Sequence, residues 1–230
     1  MNICRLIKFL TYLPQSIWFN LHYLPFLQAI KLPILLYKPH FKALKGSVAI
    51  SGGVKTGMIC LGYPYVSIYP NTGISWECKG NVVFNGVCRI GGNSYFSIGD
   101  KAHVTLGNGT VASASLKLVS YHKIFMNENV RIGWNCLFCD TDMHTMTKED
   151  GSHTRGYAPI IIGKYNWIGN NCIVMKRTAT PDFTTLSAGS LINKSYMDIP
   201  ERSILSNRSP LEVVRTGFWC NPYDDTINYE

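Results

Sequence analysis

A six-residue repeat constrains the fold of this chain more than any other feature. From residue 162 to residue 192 an apolar or β-branched residue recurs at every sixth position, and a small residue follows each of the first five, four positions later. The two series are Ile162, Ile168, Val174, Thr180, Leu186, Ile192 and Asn166, Cys172, Thr178, Thr184, Ser190. A helix repeats its apolar face about every 3.6 residues and a half-buried strand every second residue, so neither fits. The repeat predicts a parallel β-helix, in which each six-residue unit forms one face of a coil.

Five isoleucines, each followed directly by glycine, indicate where the coil turns: Ile90, Ile98, Ile132, Ile162 and Ile168. Glycine has no Cβ that could clash at a sharp turn. The repeat, with shifts of register, predicts a β-helix over residues 46–205. Residues 1–45, which contain four prolines, are expected to form a helical or irregular segment, and residues 206–230 a C-terminal extension.

Charge and apolar composition distinguish the N-terminal segment from the rest of the chain. Residues 1–76 contain seven lysines and arginines and no acid, whereas the whole chain has a formal charge of +8. Residues 1–45 mix these cations with apolar side chains, a composition that suits a helix on an anionic membrane surface. An alternative is that this segment covers one end of the β-helix or a subunit contact. Its apolar runs are too short for a membrane span, which needs about 20 apolar residues.

The eight cysteines and the basic segment point to no further class. The cysteines are scattered without a disulfide framework, so we expect a cytoplasmic protein. The pair Cys136 and Cys139 lacks a second ligand pair for zinc, and we interpret Cys136 as a packed residue. No recognition motif for nucleic acid accompanies the basic residues.

The repeat is interrupted conspicuously once, in a polar loop over residues 139–160. Polar excursions from a stiff scaffold commonly carry function. The loop contains His144, preceded at alternate positions by Asp140 and Asp142. Histidine is suited to act as a base at neutral pH, and a carboxylate that accepts its N–H fixes the tautomer. We favour Asp142 over Asp140 as the nearer partner of His144.

Several of these motifs together resemble the hexapeptide-repeat acyltransferases. They are the Ile-Gly repeats, the segment 162–173, the step Ser187-Ala-Gly-Ser190 and the closing stretch 200–210. The loop sequence 140–144 is similar to the branch that O-acetylates sugars of bacterial surface polysaccharides. The resemblance implies a left-handed coil, acetyl-CoA as donor, a sugar or glycan acceptor, and a homotrimer with active sites between subunits. It also fits contact of residues 1–45 with the inner face of the cytoplasmic membrane.

The resemblance also implies roles for individual residues. His144 would be the general base, assisted by Asp142 or Asp140. The backbone of Ser187, Ala188 and Gly189 would contact CoA, and no metal is expected. The remaining implied contacts to CoA are a pocket-lining role for Trp167, which could equally cover the coil exterior, and phosphate contacts from Lys194 and Arg208. The chain departs from the family where Glu212 replaces a basic residue.

Three other functions stay open at this point. One is an acetyltransferase for a small molecule such as serine or an antibiotic. Another is a metal-dependent hydratase, which needs three converging histidines, whereas His144 and His153 are nine positions apart. The third is a non-catalytic β-helix scaffold that docks at a membrane.

Overall fold

The chain folds into a three-sided coil of short parallel strands. The structure is a computed structural model and describes residues 10–70 and 72–206, together with the backbone of residues 218 and 219. Face A contains β1 (Ile34–Leu36), β4 (Ile59–Tyr63), β7 (Cys88–Gly91), β10 (Thr110–Ala112), β13 (Arg131–Ile132), β17 (Trp167–Ile168), β19 (Thr185–Leu186) and β21 (Ile204–Leu205). Face B contains β2 (Pro39–Leu44), β5 (Ile74–Cys78), β8 (Ser94–Ile98), β11 (Lys117–Ser120), β14 (Leu137–Cys139), β18 (Ile173–Met175) and β20 (Leu191–Ile192). Face C contains β3 (Ser47–Ile50), β6 (Asn81–Asn85), β9 (His103–Gly107), β12 (Lys123–Met126) and β16 (Ile160–Ile162).

Each coil takes one strand from every face and pairs with the next coil in parallel. We number the coils 1 to 7 from β1, β4, β7, β10, β13, β17 and β19. Trp167 pairs with Thr185 and Ile173 with Leu191, a step of 18 residues, which is three units of six. The predicted fold class, an all-β solenoid of hexapeptide repeats, is confirmed, and the architecture is consistent with a left-handed coil.

The residues of the six-residue repeat line the interior. All six of the main series are buried, from Ile162 to Ile192, and so are the five small residues that follow them. The polar ones among these satisfy their groups within the coil. Thr184 donates to the carbonyl of Pro181 at 3.0 Å, and Thr180 donates to the side chain of Asn166 at 2.7 Å. A buried hydroxyl without a partner would be costly, so this network makes the polar positions compatible with the core.

The glycines of the five Ile-Gly pairs are required by the spacing between coils. None of the five has a positive φ. A Cβ on Gly163 would meet the backbone of Pro181 and Asp182 in the next coil, and one on Gly169 would meet the backbone of Ala188. Several left-handed conformations at the turns belong instead to other residues, such as Asn129 and Asn171. Glycine therefore serves here for close approach between coils.

The solenoid begins earlier in the chain than residue 46, so the expected boundary is corrected. Strands β1 and β2 lie within the segment expected to be helical or irregular. The prolines there do not interrupt the sheet, because Pro33 precedes β1 and Pro39 is the first residue of β2, a position that strands tolerate.

Two helices cover the N-terminal end of the coil, α1 (Leu13–Tyr23) and α2 (Phe26–Ala29). The side chain of Asn20 donates to the carbonyl of Ile34 at 2.7 Å and accepts from its N–H at 3.1 Å. The Leu36 N–H donates to the hydroxyl of Ser16 at 2.9 Å. The alternative that this segment covers one end of the β-helix therefore describes the inner side of α1.

Candidate functional site

The polar loop of coil 5 is an ordered hairpin. Its arms form antiparallel bridges between Thr141 and Tyr157 and between Thr147 and His153. Its outer part contains β15 (Thr147–Lys148), whose backbone pairs antiparallel with β22 (Phe218–Trp219) near the C-terminus. The chain therefore returns from the far end of the solenoid to the loop that contains His144.

The hairpin leaves the coil at the turn between faces B and C, which we call the B–C corner. The same corner of coil 4 contains Tyr121 and His122, and that of coil 6 contains Lys176 and Arg177. Lys194 occupies the equivalent turn of coil 7, after β20. The loop is therefore flanked by basic side chains on the side of coils 6 and 7.

Asp140 anchors the base of the hairpin to coil 4. Its buried carboxylate accepts from the hydroxyl of Ser120 at 2.6 Å and from the N–H groups of Tyr121 at 2.8 Å and His122 at 3.0 Å. Burial raises the pKa of Asp140, while these three donors act in the opposite direction. The geometry gives this carboxylate a clear task in holding the loop on the coil.

Asp142 connects the hairpin to coil 6. Its Oδ2 lies 2.8 Å from the Nζ of Lys176, and the carboxylate is partly exposed. The Asp142 N–H donates to the carbonyl of Gly156 in the opposite arm at 2.8 Å. The two aspartates thus fix the loop to the coils on either side of it, and Asp142 is the one that solvent reaches.

His144 lies on the exposed side of the first arm. The flanking residues Thr141 and Thr145 are buried, while Met143 and His144 are exposed. Met143 has a φ of 63°, and its N–H donates to the hydroxyl of Thr141 at 3.0 Å. This local turn presents the imidazole to solvent, where a substrate hydroxyl could reach it.

Sequence reasoning missed a second group beside the loop, formed by His122, Arg155 and Tyr157. The His122 ring lies 4.9 Å from the Tyr157 ring, and the guanidinium of Arg155 lies 4.5 Å from the same ring. Burial lowers the pKa of His122, with further lowering from Arg155 and Lys123 against the opposing effect of Asp140. The coil length was the available signal, because the step of 20 residues that pairs Lys117 with Leu137 places His122 below Asp142.

The residues expected to bind CoA occupy different edges of the coil. Lys194 lies at the B–C corner, with its Nζ 5.5 Å from the Tyr196 ring. Ser187, Ala188 and Gly189 form the turn between faces A and B in coil 7, and Trp167 projects from face A with 59% of its surface exposed. Arg208 and Glu212 lie outside the described residues.

An apolar strip on face B separates the two corners of coils 5 to 7. Leu137, Ile173 and Leu191 are stacked there by the strand registers, and Ile173 and Leu191 are exposed. Within one chain the loop and the turn 187–189 therefore lie at opposite edges of the same face. Only Lys194 among the expected CoA contacts shares the corner with the loop.

The cysteines and acidic residues form no metal site in the described ranges 10–70 and 72–206. No three histidine, cysteine or carboxylate side chains come together there in a way that could hold a metal ion. Cys136 is buried, with its thiol 3.1 Å from the carbonyl of Gly169. This agrees with its interpretation as a packed residue.

Comparison with known proteins supports the resemblance seen in the sequence, although no family model matches the chain. The chain is 29% identical to galactoside O-acetyltransferase of Escherichia coli K12 over 122 residues, which is 53% of this chain and 57% of that enzyme. The chain therefore matches little more than half the length of this curated relative. A crystal structure of the polySia-specific acetyltransferase NeuO aligns with 76% of this chain and 75% of that one, at 16% identity and a TM-score of 0.41.

Proposed function

We propose that this chain, which is similar to the hexapeptide-repeat acetyltransferases, transfers an acetyl group from acetyl-CoA to a hydroxyl of a sugar. The observation that carries the proposal is the exposed His144 on an ordered loop, held between two coils by Asp140 and Asp142. The scaffold is stiff on both sides of this loop. A base held in this way can meet a bound hydroxyl with little loss of entropy.

In the proposed reaction, His144 removes the proton of the acceptor hydroxyl as its oxygen attacks the thioester carbonyl. The C–S bond then breaks, and the imidazolium returns the proton to the thiolate, so that the products are an acetyl ester and CoA. A carboxylate near the imidazole stabilises the imidazolium. We assign this positioning role to Asp142, because its carboxylate is on the solvent side of the hairpin, whereas Asp140 is occupied by three donors from coil 4.

The described residues fit acetyl-CoA as the donor. Lys176, Arg177 and Lys194 provide cations at the B–C corner for its phosphates, and the apolar strip of Ile173 and Leu191 adjoins that corner. A molecule with a charged end and a largely apolar arm matches this combination. When bound, acetyl-CoA supplies the activated acyl group.

The positions of the expected CoA contacts support a site shared between subunits. The turn at Ala188 and the loop at His144 lie at opposite edges of face B, so one chain does not bring them together. A second copy whose A–B turn approaches this B–C corner would do so. We therefore propose a homotrimer with sites between subunits, in which Ser187, Ala188 and Gly189 of one copy face the loop of the next.

For the acceptor we propose a sugar of a bacterial surface polysaccharide or its precursor, acetylated in the cytoplasm. The loop sequence 140–144 supports this choice over a small molecule such as serine or an antibiotic, because the resemblance to polysaccharide O-acetyltransferases rests on it. The curated relative acts, by its name, on a galactoside.

The test is acetyl-CoA turnover with a panel of repeat-unit sugars, serine and an aminoglycoside. We expect release of CoA with a sugar, and a loss of about 10²- to 10⁴-fold in kcat for His144→Ala, because general base catalysis is removed. His40→Ala, at an exposed histidine of coil 1, is the matched control and should keep wild-type turnover. Full activity of His144→Ala would show that the base is wrong. A chain that neither binds nor turns over acetyl-CoA would favour the scaffold.

A further inference from the structure

The two N-terminal helices present an apolar surface to solvent. Seven large apolar side chains with 38% to 73% of their surface exposed lie in residues 10–30, and we call them the cap patch: Leu10, Ile17, Trp18, Leu21, Phe26, Leu27 and Ile30. Scattered exposed apolar residues are ordinary, but a cluster of this kind commonly marks an interaction site.

The polarity of α1 is the reverse of that of an ordinary surface helix. Its inner side is fixed to the first coil by the polar residues Ser16 and Asn20, with Phe19 packed beside them. Its outer side carries Ile17, Trp18 and Leu21, all exposed. A helix that only had to cover the coil would be expected to place its polar residues outside.

The charge around the cap patch is positive. No acidic residue occurs before Glu77, so the cap and coil 1 contain none. Lys31, which directly follows the cap patch, is exposed, and so are Lys42 and Lys45 of coil 1. An apolar surface surrounded by cations and free of carboxylates is complementary to a bilayer with anionic headgroups.

We propose that the cap patch docks the protein on an anionic lipid surface. Phe26, Leu27 and Trp18 enter the headgroup region, and Lys31 contacts the lipid phosphates. In the described part of the chain no helix has the length and apolar character needed to cross a bilayer, so the contact is with one surface. The cap covers one end of the solenoid, and four coil steps of about 4.8 Å each separate coil 1 from the loop of coil 5. His144 is then within about 20 Å of the level of coil 1, in reach of a glycan attached to a lipid.

The experiment is co-sedimentation of the full chain with vesicles of phosphatidylcholine alone and of phosphatidylcholine mixed with phosphatidylglycerol. We expect binding to the mixed vesicles that weakens with salt. Phe26→Ser with Leu27→Ser should reduce the partition coefficient about tenfold or more, because two apolar side chains no longer enter the lipid. Lys31→Gln should reduce it about fivefold, and only on the anionic vesicles.

The matched control is Ile68→Ser with Met197→Ser, two exposed apolar residues away from the cap, which should leave vesicle binding unchanged. Circular dichroism and the unfolding midpoint verify that both double variants are folded. The proposal is overturned if the wild type does not prefer the anionic vesicles, or if the cap variant binds as well as the control.

A second copy of the chain or residues 1–9 could cover the cap patch instead. In the first case the cap variant would change the sedimentation coefficient without lipid, and wild-type binding to vesicles would be absent. In the second case deletion of residues 1–9 would be needed before any vesicle binding was seen. Either result overturns docking through the exposed patch, and neither depends on whether the acetyltransferase proposal is correct.

Discussion

Asp140 and Asp142 are two positions apart and have different environments. The first is buried and accepts three hydrogen bonds from coil 4, and the second is partly exposed and paired with Lys176 of coil 6. The alternation of side chains along the extended arm explains the difference, because neighbouring positions point to opposite sides but the loop also turns at Met143. The sequence could nominate both acids beside His144 but could not divide their tasks.

The role of Asp142 can be tested against that of its partner. We expect Asp142→Asn to lower kcat by about 10- to 100-fold, because the imidazolium of His144 loses a nearby negative charge. Lys176→Met removes the same ion pair but leaves the carboxylate, so kcat should change little. Steady-state kinetics with separate kcat and KM values measure both. Because a partly exposed ion pair contributes at most about 1 kcal/mol, both variants should unfold close to the wild-type midpoint.

Equal losses of kcat in Asp142→Asn and Lys176→Met would contradict a positioning role for Asp142. They would indicate that the ion pair acts only by holding the hairpin on coil 6.

At the scale of the elements, the coils combine a regular interior with an irregular exterior. Buried residues at every sixth position stack along the axis, and corner glycines allow the coils to approach. The early coils are longer, with steps of 20 and 22 residues between paired strands, as for Lys117 with Leu137 and with Tyr95. The extra residues lie at the corners, which explains why the six-residue repeat is regular only in the last coils.

The corner glycines give a sharp test of coil packing. Gly163→Ala should lower the free energy of unfolding by about 3 kcal/mol, because its Cβ would meet the backbone of Pro181, which has no room to move. Gly53→Ala is the matched control, since a Cβ there meets nothing within 4 Å. It should change the free energy of unfolding by less than about 0.5 kcal/mol. Denaturant unfolding of the two variants measures the difference, and similar midpoints would refute the close-approach argument.

At the scale of the whole molecule, the loop and the turn 187–189 lie at opposite edges of face B. This separation is the main reason to propose a site that is completed by another copy. The return of β22 to β15 adds a strand to the loop from the C-terminal part of the chain. The loop is therefore supported by residues far from it in sequence.

Subunit mixing tests the shared site. His144→Ala and Ala188→Tyr should each be inactive, the first for lack of the base and the second because a large side chain blocks the exposed turn. After the two are refolded together in equal amounts, we expect about a quarter of wild-type turnover, because random assembly places an intact loop beside an intact turn at one site in four. Turnover that stays absent in the mixture, with mixed assemblies present, would place both residues in a single-chain site.

The sequence by itself determined the solenoid and the location of the loop. A repeat of six with small residues at fixed positions is compatible with few structures, because it must place one residue per face into a narrow interior. The same repeat showed where regular structure stops, and His144 was identified there as the candidate base.

Only the tertiary structure decided which groups surround that loop. His122, Lys176 and Asp142 meet because coils stack at a distance fixed by strand pairing, and the lengths of the early coils could not be counted reliably from their irregular repeats. The structure also extended the solenoid back to Ile34 and exposed the apolar outer side of α1. Local patterns fix which residues are buried within a unit, whereas contacts between units depend on the register of the whole coil.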